Sequence, residues 1–373
     1  MTRQFDSIGL ALSGGGLRAA AYHLGVLKWL AERQLFEKIS CISSVSGGTL
    51  LVALIYNLNN YRWPNSDEFT DKIFPKVYTF LESYSIVKEA FKQLLHKPLK
   101  APLYLYDRNR LIHSVLEEKL MIAEKLSKLP PHPEWIINAT THETGRRFYF
   151  TCEKMGDKEF GYSFAPDLSL AYAVTSSLAY PGFIGPYTIK TSKYKWQKEN
   201  VKNYIPPFRR LHIYDGGIYD NLGLETFIDI KKDELRNPGK SNFVIAVDAG
   251  APLSKSTAPW YSRWKKLYEI SAEQSRLLMI RAFVNFLKNT SRKGLYIQIG
   301  AEPKRTIEKF APNDIKEELL RADWLDENAI NSAKIISTGL SPFPTKTLDL
   351  LIRHGYETVK FNAAIWFKQP AAE

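Results

Sequence analysis

The stretch SIGLALSGGGLRAAAYHLGVLKWLAERQLFEKISCISSVSGGTLLVALIYNL, residues 7–58, decides the fold. It begins with a short apolar run that ends in three glycines, which predicts a buried strand and a tight turn. Apolar residues then recur at helical spacing, and the same order of strand, glycine turn and helix is repeated from residue 39. Two such units in succession are typical of a parallel sheet with helical crossovers. We therefore expect an α/β fold with a central, mostly parallel sheet flanked by helices.

The remainder of the chain is expected to complete this fold around one helical insertion. Residues 64–130 are charged and amphipathic, and they are expected to form a helical cap inserted into the domain. Residues 252–373 are expected to be mainly helical, and the basic segment at residues 190–207 to be an exposed loop. Because no linker rich in Pro, Gly or Ser divides the chain, residues 1–373 are expected to form a single domain.

A net charge of +12 favours anionic partners, although it also serves solubility alone. Together with an aromatic content of 13%, it fits phospholipid headgroups better than a nucleic-acid groove, so no nucleic-acid partner is expected. Residues 83–100 and 260–270 are candidates for a peripheral membrane contact, and each is equally consistent with an ordinary helix that faces the core. In the first segment, lysines flank an apolar face formed by Ile86, Ala90, Phe91 and Leu94.

Cys41 and Cys152 are the two cysteines, and they form neither a metal-ligand spacing nor a disulfide framework. Such a composition fits a reducing compartment. No apolar run is long enough to span a membrane, and the N-terminal apolar stretch is too short for a signal peptide. We therefore expect a cytoplasmic protein without metal or other cofactor, with the inner membrane face as a candidate for peripheral contact.

Ser46 lies in the second glycine turn, in the sequence Ser44-Val45-Ser46-Gly47-Gly48. A nucleophile elbow places its serine on a tight turn between a strand and a helix, where crowding requires small residues two positions before and after it. The usual pattern is G-x-S-x-G, so Ser44 stands in the place of the first glycine. Because a serine in such a turn is more often structural than catalytic, this motif alone does not decide the role of Ser46.

The first glycine turn is a candidate oxyanion hole. The backbone N–H groups of Gly14, Gly15, Gly16 and Leu17 follow a strand and precede a helix, where they can face a developing negative charge. Arg18 is expected either to brace this loop or to hold a phosphate.

The same turn has a second interpretation as a dinucleotide-binding loop. Gly14, Gly16 and Ala19 nearly fit the motif G-x-G-x-x-[GA]. The acidic residue that this motif requires is less clear, because Glu37 precedes the second strand instead of ending it. A plain tight turn is the third interpretation.

A third motif lies in HIYDGGIYDNLGLE, residues 212–225. Asp215 ends a predicted strand and is followed by Gly216 and Gly217, so its carboxylate is a candidate general base toward a serine. An aspartate that caps a turn is common, and Asp220 and Asp248 compete for the catalytic role.

No histidine lies in a context that suggests a triad base. His23 is on the first helix, where packing or capping is the simpler role, and His212 is expected to face away from Asp215 on the same strand. A serine–aspartate dyad is therefore favoured over a serine–histidine–aspartate triad.

In this order the three motifs resemble those of the patatin-like phospholipase family. The family's loop reads approximately D-G-G-G-x-R-G, against SGGGLRA at residues 13–19; its elbow appears as SSVSGG and its D-G-[GA] motif as DGG. Asn221 falls where the family often has Asn, and the resemblance runs from about residue 7 to about residue 361. The departures at Ser44 and Ala19 replace glycines by other small residues, so we expect the geometry to be preserved.

The resemblance implies a three-layer α/β/α fold and hydrolysis of acyl-ester lipids of the phospholipase A or lysophospholipase type. Ser46 would be the nucleophile and Asp215 the base, and the glycine-rich loop would hold the oxyanion. Two alternatives stay open. One is a nucleotide-binding α/β protein that uses Gly14–Gly16 for phosphate. The other is a signal-activated effector lipase or a catalytically silent lipid-binding module.

Overall fold

The described part of this computed structural model comprises residues 6–96, 108–202, 204–250, 252–253, 259, 263–290 and 293–367. Its sheet has eleven strands, and β10 and β11 form a separate hairpin. In chain order the strands are β1 (Ile8–Leu12), β2 (Ile39–Val45), β3 (Glu134–Thr141), β4 (Arg147–Phe150), β5 (Lys154–Asp157), β6 (Gly161–Phe164), β7 (Tyr187–Lys190), β8 (Trp196–Gln197), β9 (Arg210–Asp215), β10 (Ile228–Asp229), β11 (Glu234–Leu235), β12 (Phe243–Asp248) and β13 (Gly294–Gln298).

Five neighbouring strands run parallel, in the order β13, β12, β1, β2 and β3. Every residue of β1 and β12 is buried, which is why their sequences IGLAL and FVIAVD are almost continuously apolar. The predicted fold class, a mostly parallel sheet flanked by helices, is confirmed. Beyond β3 the sheet continues through antiparallel β4, β5, β6 and β8. Sequence reasoning missed β5, β6, β7 and β8, because strands of two to four residues leave little periodic signal.

Helices cover both faces of the sheet. They are α1 (Gly16–Ala31), α2 (Gly47–Leu58), α3 (Ser66–Glu68), α4 (Phe74–Ser83), α5 (Ile86–His96), α6 (Arg108–Ser114), α7 (Leu170–Ser177), α8 (Gly217–Asp220), α9 (Arg263–Asn289), α10 (Pro303–Phe310), α11 (Asn313–Arg321), α12 (Glu327–Ile335) and α13 (Thr345–Phe367). Leu10 and Leu12 of β1 pack into a core with α1, α2 and α13, whereas Ala11 packs into a second core with Phe283 of α9. This alternation is the one expected for a strand with both faces buried.

The segment predicted as a helical insertion contains α3 to α6, with π-helical turns at Phe69–Ile73 and Val115–Lys119. Its last helix, α6, contacts the segment that leads into β7, since the Arg108 guanidinium donates to the carbonyl of Phe183 at 3.0 Å. His113 and the hydroxyl of Tyr187 also form a hydrogen bond of 2.9 Å. Residues 97–107 of the predicted insertion lie outside the described residues. None of the described helices is both long and apolar enough to cross a membrane.

Candidate active site

Two strands meet end to end beside β3, and their last residues bring the two central candidates together. β2 runs parallel to β3, and its last residue, Val45, is paired with Asn138. β9 runs antiparallel to β3, and its last residue, Asp215, is paired with Ala139, the next position along β3. Ser46 directly follows β2, so the sheet register places it next to Asp215.

Ser46 occupies a strained turn between β2 and α2. Its φ of 49° lies in the left-handed region, which non-glycine residues rarely adopt, and its side chain is only 9% exposed. The turn is fixed on both sides: its N–H donates to the Ser177 hydroxyl at 2.8 Å, and its carbonyl accepts the first helical bond from Leu50 at 3.0 Å. This is the strand–turn–helix geometry that the nucleophile-elbow motif requires.

Asp215 is buried, with 5% of its surface exposed, and the nearby Ser46 hydroxyl favours the ionised form of its carboxylate. Burial raises its pKa from 3.8 to about 6, against the opposing effect of bonds from the Gly217 N–H, at 2.7 Å, and from Ser46. At neutral pH the carboxylate is therefore ionised and is a stronger proton acceptor than an exposed aspartate. Such a carboxylate can take the proton of the serine that it contacts.

The glycine-rich loop lies directly against the elbow. A Cβ on Gly47 would lie 2.0 Å from the carbonyl oxygen of Gly16, and a Cβ on Gly14 would lie 3.2 Å from the Cβ of Ser46. Gly15 and Gly16 have positive φ angles of 139° and 61°, which open the turn toward α1. The two glycine turns of the sequence thus form one site, and neither could accept a larger residue at the contact.

The N–H groups of this loop differ in what they can bind. The N–H of Gly14 donates to the carbonyl of Asn221 at 3.1 Å, and that of Leu17 donates to the carbonyl of Gly339 at 2.8 Å. Within the described part of the chain, the N–H groups of Gly15, Gly16 and Arg18 donate no hydrogen bond. Two of the predicted oxyanion donors, the N–H groups of Gly14 and Leu17, are therefore already bonded within the chain. The N–H groups of Gly15 and Gly16 remain as candidates.

The Arg18 side chain braces the loop against the C-terminal part of the chain. Its guanidinium donates to the carbonyls of Ala249 at 2.7 Å, Ile336 at 2.9 Å and Lys334 at 3.2 Å. Burial lowers its pKa to about 10. Of its two predicted roles, the structure supports bracing, because every hydrogen bond that it makes among the described residues goes to a backbone carbonyl.

The remaining glycines of the motifs also lie in close contact with neighbouring residues, which leaves no room for a side chain. A Cβ on Gly48 would lie 2.6 Å from the last carbonyl of β1, and one on Gly216 would lie 2.6 Å from the carbonyl of Asn138. A Cβ on Gly217 would lie 2.7 Å from Oδ1 of Asn221. Asn221 therefore contacts both the aspartate motif and the glycine-rich loop.

A network of hydrogen bonds that the sequence did not reveal holds the turn at Ser46 in place. The Ser177 hydroxyl accepts from the Ser46 N–H and donates to the carbonyl of Asn138 at 2.7 Å. Ser44, which replaces the usual glycine, accepts from the Trp135 indole N–H at 2.8 Å and bonds to the Thr49 hydroxyl at 2.9 Å. The sequence SLAYAVTSSLAY contains the serine pair, but its hydrogen-bond partners are distant in sequence and no local pattern predicts them.

The carboxylates of the two other candidate aspartates, Asp220 and Asp248, are bonded to groups other than Ser46. Asp220 is buried, and its carboxylate accepts the N–H groups of Leu222, Gly223 and Glu225, so it closes a turn. Asp248 forms a buried ion pair with Arg276 and accepts from the Tyr296 hydroxyl at 2.7 Å. Both are structural in this fold.

The histidines and the acidic residue considered for nucleotide binding also lie elsewhere. His212 pairs with Glu143 at 2.6 Å, and His23 is buried with its Nε2 2.9 Å from the carbonyl of Ser13. Burial lowers the pKa of His23 to about 4, so it is neutral. Glu37 accepts the N–H and hydroxyl of Ser66 at the start of α3. Within the described residues, no group of three or more metal-ligating side chains occurs.

Comparison with known families agrees with this arrangement. The model of the patatin-like phospholipase family matches residues 10–228, a range that contains the glycine-rich loop, the elbow and the aspartate motif. The chain belongs to the patatin-like phospholipase family. No curated protein sequence gives a significant match to it.

Solved structures share the fold. Human GIVD cytosolic phospholipase A2 aligns with a TM-score of 0.50 at 12% identity, covering 95% of this chain and 58% of that one. The same enzyme with methyl gamma-linolenyl fluorophosphonate and terbium chloride aligns with a TM-score of 0.52 at 13% identity, covering 95% and 57%. VipD from Legionella pneumophila, at 14% identity, covers 98% and 68% with a TM-score of 0.38. The patatin-like chain thus spans less than two thirds of the phospholipase A2 chain.

Proposed function

We propose that this protein hydrolyses fatty-acyl esters of lipids, with Ser46 as the nucleophile and Asp215 as the general base. The observation that carries the proposal is the juxtaposition of Ser46, in its strained turn, with a buried carboxylate whose pKa is raised to about 6. A direct contact of this kind lets the carboxylate accept the serine proton without an intervening histidine.

In the first half-reaction, Asp215 takes the proton from Ser46 as its Oγ attacks the ester carbonyl carbon. The carbonyl oxygen becomes an oxyanion, for which the N–H groups of Gly15 and Gly16 are uncommitted donors in the described loop. The ester C–O bond then breaks, the leaving alcohol takes the proton from Asp215, and the acyl group stays on Ser46. In the second half-reaction, Asp215 deprotonates a water that attacks the acyl-enzyme. The proton returns to Ser46, and a fatty acid leaves.

Phospholipid or lysophospholipid is the substrate class that we infer, with a phospholipase A or lysophospholipase type of cleavage. The net charge of +12 favours an anionic interface over neutral glyceride droplets. A structural neighbour of 13% identity was solved in complex with a linolenyl fluorophosphonate, whose acyl chain and phosphonate are those of a lipid analogue. Both cysteines carry free thiols, which fits action in the cytoplasm, at the inner face of a membrane.

The alternative of nucleotide binding has less support. Two amides of the glycine-rich loop are engaged by the chain itself, and the candidate ribose ligand, Glu37, caps the helix that begins at Ser66. A phosphate-cradling loop requires its amides to be directed at the ligand.

A lipid-like fluorophosphonate tests the proposal, because it phosphonylates only an activated serine. We expect stoichiometric labelling of the wild type at Ser46, located by peptide mass mapping, none in Ser46→Ala, and at least hundredfold slower labelling in Asp215→Asn. Ser176→Ala is the matched control, since among the described residues this buried hydroxyl bonds only to the Tyr172 carbonyl of its own helix, and it should label at the wild-type rate.

Three outcomes would reject the mechanism. Labelling at another serine would reject Ser46, and undiminished labelling of Asp215→Asn would reject the base. Absence of labelling in folded protein, with and without lipid vesicles, would favour a nucleotide binder or a silent lipid-binding module. Labelling only after vesicles are added would instead identify an enzyme that is switched on at its interface.

A further inference from the structure

The connection between β7 and β9 carries half of the net charge of the chain. Residues 190–210 contain seven lysines and arginines against one glutamate, a net charge of +6 out of +12. The basic residues of this segment, which we call the basic loop, are Lys190, Lys193, Lys195, Lys198, Lys202, Arg209 and Arg210.

These charges face solvent without acidic partners. All of them are exposed except Lys198, which is half-buried and lies over the ring of Tyr204 at 6.0 Å. None forms an ion pair with an acidic group of the described residues, although many other surface cations of the protein do, such as Lys125 with Asp167. Because unpaired like charges in one loop repel each other, such a surface is stabilised by an anionic partner.

Several described residues of the basic loop are anchored to one another and to the domain. Trp196 is buried, donates its indole N–H to the carbonyl of Thr191 at 2.9 Å, and packs edge-on against Phe160 at 4.8 Å. The Thr191 hydroxyl donates to the carbonyl of Phe208 at 2.8 Å, which ties the two ends of the loop together. Little conformational entropy is therefore lost when the loop meets a partner.

Apolar side chains stand exposed among the charges. Ile205 is 84% exposed, and Val201 and Phe208 are also exposed, as is Phe164 on the neighbouring strand β6. Lysines beside protruding aliphatic and aromatic side chains are the composition of an interfacial surface, in which the charges meet headgroups and the apolar groups enter the acyl boundary.

The basic loop is connected to the catalytic centre by a single strand. β9 leaves the loop at Arg210 and ends at Asp215, and β7 pairs with its first four residues. Since β9 pairs with the carboxyl end of β3, this two-stranded ribbon projects from the same edge of the sheet at which Ser46 lies. A surface bound by the loop would therefore face the edge that carries the site.

Of the two candidate segments for membrane contact named in the sequence analysis, residues 83–100 bury part of the predicted apolar face and expose the rest, including Phe91, which is 60% exposed. Ile86 and Ala90, half of the apolar face predicted for residues 83–100, are buried against the core. Lys97, Lys100 and Trp260 of those segments lie outside the described residues.

We propose that the basic loop docks the protein on an anionic lipid surface, with its cations on lipid phosphates and Ile205 inserted between headgroups. This inference takes lipid hydrolysis as the function and deepens it by naming the surface that brings the enzyme to its substrate.

The test is vesicle co-sedimentation in the Ser46→Ala background, so that binding is measured without turnover. The probes are vesicles of phosphatidylcholine alone and of phosphatidylcholine with phosphatidylglycerol. We compare Lys193→Glu/Lys195→Glu/Lys202→Glu with a control of equal charge change on exposed lysines elsewhere, Lys76→Glu/Lys232→Glu/Lys304→Glu. Each lysine near an anionic surface contributes to the free energy of binding. Reversing the charge of three lysines in the loop should therefore weaken binding to anionic vesicles at least about a hundredfold, whereas the control variant should lose no more than about tenfold. Raising the salt concentration should weaken binding.

Equal losses in the two triple variants would show that net charge alone matters and would overturn the docking site. Equal binding to neutral and anionic vesicles would do the same, as would binding of duplex DNA or RNA by the loop in place of vesicles. Because fluorophosphonate labelling of the wild type is scored separately, an active enzyme without loop-dependent docking is distinguished from a docked protein without an activated serine.

Discussion

Replacing Asp215 by asparagine should stabilise the protein at neutral pH while it removes the proposed base. The carboxylate is 5% exposed and has a pKa raised from 3.8 to about 6 by burial. Between these two values the folded protein holds a proton that the unfolded chain has released. Folding therefore becomes less favourable as the pH rises through this window, and the loss is complete above it. Asparagine keeps the shape and an acceptor oxygen for the Gly217 N–H, but it carries no charge to bury.

The magnitude follows from the size of the shift. About two pKa units at 1.36 kcal/mol each give a gain of about 3 kcal/mol for Asp215→Asn at about pH 7.5, and about 1 kcal/mol at about pH 4.5. A chain of this length has an unfolding entropy of roughly 0.8 kcal/mol per kelvin. The melting temperature should thus rise by about 4 °C at the higher pH and by about 1 °C at the lower.

Differential scanning fluorimetry at the two pH values measures this directly. The control is Asp167→Asn, which removes the charge of a side chain that is 78% exposed and should leave the melting temperature unchanged at both pH values. A melting temperature of Asp215→Asn equal to or below that of the wild type at the higher pH would refute the reasoning. So would a gain of the same size at both pH values, since only a titrating carboxylate produces a difference between them.

Three further predictions concern the same site. Because Asp215 must be ionised to act as base, fluorophosphonate labelling should slow roughly tenfold from about pH 7 to about pH 5, and a flat profile would exclude it as the base. Ser177→Ala removes the acceptor of the elbow amide and should slow labelling roughly tenfold, whereas Ser176→Ala should not; equal rates would show that this hydrogen bond does not position the serine. Ser44→Gly restores the family's usual glycine but leaves the buried indole N–H of Trp135 without its acceptor. It should lower stability by about 1–3 kcal/mol in thermal unfolding, and an unchanged melting temperature would contradict this.

The parallel core and the motifs could be predicted because their signals are local. An apolar run, a glycine turn and a helical period each lie within one short window, and β1, β2, α1 and α2 all formed where residues 7–58 place them. The C-terminal helix was similarly visible in its periodicity. What joins these elements, the pairing of β2 and β9 on adjacent positions of β3, is a matter of register between strands far apart in sequence, and it appears only in the structure.

The finer features of the site depend on long-range contacts and were beyond sequence reasoning. Nothing near Leu17 indicates that its N–H meets the carbonyl of Gly339, more than three hundred residues away. The same applies to Ser177, whose hydroxyl reaches an amide 131 residues distant. For the membrane-contact segments, helical periodicity identified an apolar face on residues 83–100 but could not say whether that face meets lipid or the core, and Ile86 is buried.

The end-to-end meeting of β2 and β9 explains how the proposed dyad functions without a histidine. A histidine normally extends the reach of a carboxylate to a serine and holds the proton in transit. Here β2 and β9 end opposite neighbouring residues of β3, so in the proposed mechanism the Asp215 carboxylate takes the Ser46 proton directly. The contact is possible only with a strained serine backbone and a buried negative charge, and each of these destabilises the fold. Backbone contacts at the glycines and the network around Ser177 offset that cost, which is why the glycines of three separate motifs converge on one small volume.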